Sequence, residues 1–424
     1  MLDGLDLNQT PIFLWVATAL LAALLGGVAY QLSHRKTLAL VQQGHRLRAT
    51  PDYYGWHTVV LMFLPVVLVS VATAALEMFG VIEVPNLLQL AACLAIPALI
   101  LWPALRLVHA DLNARALCER VIYAGLLGAA LVSIFTTLGI VLSVVFEAIR
   151  FFQHVSLIEF LTGTTWAPGG AFLESAGRGA EQGTEAEFGS IPLFAGTLMI
   201  TAVAMLVAVP LGLCAAIYTA EYASKRVRST VKPMLELLAG IPTVVYGFFA
   251  AITVAPFIVA VGDQIGLETS FENALAPGVI MGVMIIPFMS SLCDDVITSV
   301  PQNLRQAAMS LGSTKSEMIK GVVLPAALPG IVSAFLLSVS RAVGETMIVV
   351  MAAGMAANLT TNPLEQMTTV TVHIVANLTG DLAYDNPQTL SAFGLGLSLL
   401  IVTLLLNIIS VIVIRKFRQR YEAD

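Results

Sequence analysis

The chain has 424 residues, of which 58% are hydrophobic and only 11% charged, and its mean hydropathy is +0.87. Soluble domains carry about 25% charged residues, so the composition excludes a soluble globular protein and indicates a polytopic membrane chain. The formal net charge of −6 excludes little, because in such a chain the placement of charge matters more than its sum.

A spanning helix needs about 20 mostly apolar residues. Nine stretches qualify, at roughly 11–30, 58–78, 88–108, 121–147, 191–218, 236–260, 276–296, 330–354 and 393–414. The first resembles a secretory signal in position only: its leader, Met1 to Thr10, holds Asp3 and Asp6 and no basic residue, so it lacks a positive n-region. We read it as a membrane helix. The predicted fold class is an all-α polytopic membrane protein.

Basic residues set the orientation, because cytoplasmic loops are enriched in Lys and Arg. Arg35, Lys36, Arg46 and Arg48 follow the first stretch, Arg106, Arg115 and Arg120 the third, and Lys225, Arg226, Arg228 and Lys232 the fifth. Arg305, Lys315 and Lys320 follow the seventh, and Arg415, Lys416, Arg418 and Arg420 the ninth. The alternate loops hold only Arg150 and Arg178 but many acids, among them Glu174, Glu181, Asp263, Glu272, Glu365 and Asp381. The pattern predicts an amino terminus outside and a carboxyl terminus in the cytoplasm.

The chain divides by character. Residues 1–119 hold three spans without a central charge, read as an accessory anchor or packing layer. Residues 120–190 hold a fourth span and a long outer loop, with glycine-rich runs at Pro168-Gly169-Gly170 and Ser175 to Thr184. Residues 191–415 hold the remaining five spans, and 416–424 form a tail. The outer loops at about 148–190 and 355–392 are either contact surfaces for a soluble partner or plain connectors. Pro210, Pro242 and Pro256 fall within expected spans, where they bend the helices statically or as hinges.

Several chemistries are absent. Cys93, Cys214 and Cys293 lie in apolar segments and Cys118 in a basic loop, which suits isolated thiols rather than disulfides. The histidines form no metal-spaced cluster, so no metal or cofactor is expected. Gly312-Ser313-Thr314-Lys315-Ser316 superficially resembles a phosphate-binding loop but lacks its leading glycine. No nucleophile–base pair stands out, so the chain is not expected to be an enzyme.

The most specific signal lies at 297–328. Leu304, Ala307, Ala308 and Leu311 recur at the spacing of one helical face. Gly312 follows where a helix end needs positive φ. Thr314-Lys315-Ser316-Glu317 reads as a capping box that starts a second short helix, expected to stop before Pro325. Gln306-Ala307-Ala308, three residues, Gly312, nine residues, then Val322-Val323-Leu324-Pro325 resembles the coupling-loop motif of binding-protein-dependent ABC import permeases, Glu-Ala-Ala-x3-Gly-x9-Ile-x-Leu-Pro. The chain departs from it at Gln306 and Val322. The resemblance implies that the last six spans form a type I ABC-importer permease core. It also implies that Gln306, Ala307, Ala308, Gly312, Leu324 and Pro325 engage a separate ATPase subunit.

The eighth expected span carries Arg341 near its centre and Glu345 one turn on. An arginine at mid-bilayer costs about 2.5–3.5 kcal/mol on insertion scales. Ala334, Ser338, Arg341, Glu345 and Ala352 fall on one arc, so this stripe should face protein or a water-filled path. Either Arg341 and Glu345 lock helices together, or Arg341 is a transient ligand for a passing anion, whose oxygens a planar guanidinium matches.

Arg341-Ala342-Val343-Gly344-Glu345-Thr346-Met347 resembles the Arg-Ala-Leu-Gly-Glu-Thr-Met signature of the PstC family, permease subunits of phosphate ABC importers. Gly240-Ile241-Pro242-Thr243-Val244-Val245-Tyr246-Gly247 and Ala215-Ala216-Ile217-Tyr218-Thr219-Ala220-Glu221-Tyr222 agree with it. The resemblance implies phosphate translocation involving Arg341 and Glu345, with Ser338 and Thr346 beside them. It further implies a PstA-like sister permease, two PstB-like ATPase subunits and a PstS-like extracytoplasmic phosphate-binding protein, in a bacterial inner membrane. Two alternatives stand: a permease for another oxyanion or an organophosphate, and an ion-gradient-driven transporter using Arg341–Glu345 in a proton relay.

Overall fold

The computed structural model describes residues 12–78, 80, 82, 84–169, 186–379 and 386–422. The Met1–Thr10 leader, the glycine-rich run Ser175 to Thr184 and the acidic residues Glu174, Glu181 and Asp381 lie outside them. Among the described residues, nine helices are long and apolar enough to cross a membrane. The only sheet described is one two-stranded ribbon, so the all-α expectation holds. The chain forms two compact units, Met1–Leu138 and Gly139–Asp424.

The first unit holds α1 (Ile12–Gln42), α2 (Pro51–Met78), α3 (Asn86–Arg106) and the start of α4 (Ala114–His154). The expected division at 119/120 thus falls in the first turns of a continuous helix. Ala29, Met62 and Ala104 fill the centre of the first three helices. Ser33 Oγ donates to the Tyr54 carbonyl at 2.8 Å and accepts from Thr58 Oγ1 at 2.9 Å. Side-chain hydrogen bonds of this kind join helices where lipid offers no hydrophobic drive.

The second unit continues with α5 (Leu157–Thr162), then β1 (Trp166–Ala167) paired antiparallel with β2 (Glu187–Phe188). Next come α6 (Ile191–Ile217), a π-turn at Tyr218–Tyr222 and the amphipathic α7 (Lys225–Ala239). The helix α8 (Thr243–Phe249), a π-turn at Ala250–Val254 and α9 (Ala255–Ile265) make one span. The central helix is α10 (Leu275–Ser299), followed by the short α11 (Gln302–Ser310) and α12 (Lys315–Met318). A third π-turn, Ile319–Val323, leads into α13 (Leu324–Val343). Then come α14 (Met347–Ala352), α15 (Val370–Leu378) and α16 (Pro387–Glu422).

The core is built on α6 against α10. A Cβ on Gly278 would lie 2.6 Å from a Val203 methyl, and one on Gly282 would lie 2.8 Å from the Ala204 carbonyl. Two glycines one turn apart let the backbones touch, the small-residue packing favoured in bilayers. Met281, Ile285, Met289 and Cys293 complete the buried face of α10.

Three expectations are corrected here. The sixth span is 243–265 rather than 236–260, because Gly240 ends α7 and Pro242 caps α8. Of the three prolines, Pro210 lies inside α6 and Pro256 inside the continuous span 243–265, just after its π-turn, whereas Pro242 stands outside, preceding α8. The second expected outer connector contains a helix, α15, whose Thr371 and His373 are buried.

Candidate functional site

The hairpin between α10 and α13 takes the predicted form at its tip. Gly312 adopts φ +86°, where a side chain would strain the backbone. The Thr314 hydroxyl accepts from Glu317 N at 3.4 Å, and the Glu317 carboxylate accepts from Thr314 N at 2.8 Å. This is the reciprocal capping box. Its second helix does not stop before Pro325. It widens into the π-turn at 319–323 and runs on into α13, with Pro325 in the first turn.

The burial of α11 is the reverse of a simple amphipathic reading. Leu304 is 46% exposed, Met309 55% and Leu311 90%, while Ala308 alone of the predicted face packs against the core. Gln306, Ala307 and Gly312 are exposed as well. The residue of α11 that is buried is Arg305. Its Nη2 donates to the Ile297 carbonyl at 2.6 Å and its Nε to the Val300 carbonyl at 3.4 Å. These carbonyls lie at the carboxyl end of α10, where partial negative charge gathers; that of Ile297 also accepts from Val300 N at 3.4 Å. Arg305 Nη1 also pairs with Glu221.

Behind this pair is a second ionic cluster. Asp294, buried on α10, accepts from Thr219 at 3.1 Å and pairs with Arg228 at 2.7 Å and Lys232 at 3.3 Å. Lys232 also reaches Asp295 at 3.0 Å. That hydrogen bond is the main reason its ammonium is held above the usual lysine range. The charged face of α7 is thereby tied to α10. Its apolar residues Met234, Leu237 and Leu238 point outward.

Arg341 and Glu345 are placed differently from expectation. Helix α13 ends at Val343, so Arg341 stands in its last turn rather than mid-span, and Glu345 lies beyond the helix. Glu345 Oε1 accepts from Met347 N at 3.2 Å, a donor that a continuous helix would have bonded to Val343. Gly344 follows the last helical residue, and the Glu345 side chain takes up the backbone donor that the break sets free. Among the described residues no ion pair joins Arg341 to a carboxylate. Its guanidinium stacks 5.6 Å from the Phe288 ring and lies 3.8 Å from the Met284 sulfur. The expected stripe is split: Ala334 and Ser338 are buried, Ser338 bonding the Ala334 carbonyl at 2.8 Å, while Arg341 is exposed. Thr346 precedes α14 in the same break and lies 3.4 Å from the Gly344 carbonyl.

This break is bonded to α15, where Thr371 Oγ1 donates to the Glu345 carbonyl at 2.9 Å. Two residues on, His373 Nδ1 accepts from Trp166 of β1 at 3.1 Å. Burial lowers the His373 imidazole to about 4, against a smaller opposing effect of the Met355 carbonyl.

Reading the sequence singled out neither Arg305 nor Glu221, and it missed Asp294. A signal existed for the last: an acid inside an expected span is costly unless paired.

With nine spans among the described residues and an exposed apolar hairpin after the seventh, the chain has the architecture of a multi-pass membrane protein. It belongs to the family of binding-protein-dependent transport system inner membrane components, whose sequence profile matches residues 208–423. Members are permease subunits of ABC importers and are not catalytic. A probable ABC transporter permease protein, YqgH of Bacillus subtilis, is 32% identical over 251 residues, 59% of this chain and 75% of that protein. The phosphate transport system permease protein PstC 1 of Mycobacterium tuberculosis is 34% identical over 269 residues, 59% of this chain and 80% of that protein. A solved bacterial alginate ABC transporter chain superposes with TM-score 0.48 at 16% identity, over 69% of this chain and 93% of that one.

Proposed function

We propose that this chain is the PstC-like permease subunit of an ATP-driven importer of inorganic phosphate. The observation that carries this reading is the Arg341 guanidinium, exposed at the end of α13 without a carboxylate partner among the described residues. A guanidinium in that state offers its planar donors to a tetrahedral oxyanion bidentately. The curated relatives support the choice of anion, since the Mycobacterium tuberculosis protein and others near 30% identity are phosphate transport permeases by name.

In this reading Arg341 takes the anion as it passes. Glu345 acts indirectly, by holding the helix break with Met347 N, and Ser338 packs the helix behind it. Thr346, within the same break, borders the anion's path. The hairpin residues Gln306, Ala307, Ala308 and Gly312 form the docking element for the ATPase, and Leu324 and Pro325 lead its motion into α13. The exposed Leu304, Met309 and Leu311 seat in the cleft of that subunit. The assembly contains a PstA-like sister permease, two PstB-like ATPases and a PstS-like binding protein. The hairpin and carboxyl terminus face the cytoplasm and the amino terminus faces outside.

The test is Arg341→Gln in the assembled complex. Phosphate uptake should be lost while the complex still forms and hydrolyses ATP. Uptake at the parent rate would remove Arg341 from the path. YqgH carries no substrate in its name, which keeps a second reading alive, a permease for another oxyanion or an organophosphate. Competition of phosphate uptake by sulfate, molybdate and glycerol phosphate separates the two. Transport that persists without any ATPase would instead favour an ion-gradient mechanism.

A further inference from the structure

Five residues, Tyr218–Tyr222, close α6 with a π-turn whose wide bond runs from Ala223 N to the Tyr218 carbonyl at 2.8 Å. Single π-turns cost hydrogen-bond geometry and recur at functional positions. Here the segment makes its contacts through Thr219, Glu221 and Tyr222. Thr219 donates to the buried Asp294 on α10. The Glu221 carboxylate pairs with Arg305 on the first limb of the hairpin. The Glu221 carbonyl accepts from Lys315 on the second limb, and the Lys315 ammonium lies 4.9 Å over the Tyr222 ring. Both limbs of the hairpin are therefore tied to one five-residue segment at the end of α6. The same segment is tied to α10.

The two ties differ in strength. The Glu221–Arg305 pair is nearly sealed, with side chains 5% and 10% exposed, and Arg305 also bonds two carbonyls of α10. A buried charge pair that loses one member leaves the other uncompensated, so it resists separation strongly. Lys315 is exposed, and its tie is correspondingly weak.

We infer that Glu221 and Arg305 form the joint through which movement of the hairpin reaches the α6–α10 core: they are positioning residues that make α11 and the end of α6 move as one body. The inference rests on the reading of the hairpin as the ATPase docking element. Arg305 has its back to that docking surface, since Leu304, Met309 and Leu311 are exposed while Arg305 is buried. Docking and transmission are thus carried by different residues and can be separated by mutation.

The experiment uses the complete complex with its ATPase in proteoliposomes, and reads ATPase co-purification, ATP hydrolysis and phosphate uptake together. Glu221→Gln keeps the side-chain volume and removes the charge. The expected result is an ATPase that remains bound and active, with phosphate moved per ATP falling about tenfold, within the usual range of coupling between sites. A ratio equal to the parent's overturns the inference. So does loss of the ATPase from the complex, which would mean that the pair only shapes the docking surface. If Glu221→Gln does not accumulate, the double variant Glu221→Gln with Arg305→Met decides, because it removes the pair without stranding a buried charge. A lowered ratio supports the joint, and the parent ratio overturns it. Should the parent complex move no phosphate, the substrate assignment fails, and the joint is then read from stimulation of ATP hydrolysis by the binding protein. Lost stimulation in Glu221→Gln supports it, and retained stimulation overturns it.

Discussion

The Trp166 indole donates to His373 Nδ1 across 3.1 Å, joining β1 to α15 inside a ring cluster that includes Phe188. An Nδ1 that accepts cannot carry a proton, so this bond selects the neutral imidazole. Charging His373 would place a second N–H against the indole N–H in a buried site.

Stability should therefore depend on pH through this residue. Its folded value, about 4, is below the ordinary 6.5, so the unfolded chain binds more protons between those values. The contribution of His373 is complete above about pH 6.5 and is lost as pH falls towards 4, by at most about 3 kcal/mol. Thermal unfolding in detergent, scanned from pH 7.5 to 4.5, should show a steeper fall for the parent than for His373→Gln. That variant keeps an acceptor for Trp166 but does not titrate. Equal slopes would exclude His373 as the cause.

Replacing Gly282 by valine should separate α6 from α10. A Cβ there meets the Ala204 carbonyl and the Val207 side chain, and neither can retreat without moving the helix. Overpacking of this kind typically costs about 1–3 kcal/mol. A lowered unfolding temperature and weaker assembly are expected, whereas Gly321→Ala, in open space on the hairpin exit, should leave both near the parent.

Leu311 is the most exposed large apolar residue of the hairpin, and its change to aspartate cannot disturb a core it does not enter. Leu311→Asp should release the ATPase from the purified complex while the permease still folds and inserts. Retention of the ATPase at parent stoichiometry would place the docking surface elsewhere. Hot-spot side chains at interfaces cost about 2 kcal/mol or more when lost, a factor of roughly 30 in affinity that co-purification detects.

The nine spans, the all-helical class and the capped tip of the hairpin were all legible in the amino-acid order. Each rests on local physics: runs of apolar residues, a glycine able to take positive φ, and a Thr-x-x-Glu box that bonds within its own turn. The candidate site was legible in part, as residues but not as geometry. Arg341 and Glu345 sit four apart, yet whether they meet depends on a choice between two bonds for Met347 N, and contacts such as Thr371 to the Glu345 carbonyl favour the broken helix. Asp294 with Arg228, and Glu221 with Arg305, bring together residues 66 and 84 positions apart. No periodicity encodes such pairs. They arise because burying one charge in the packed bundle requires an opposite charge at the same point in space, and tertiary packing alone decides which one arrives there.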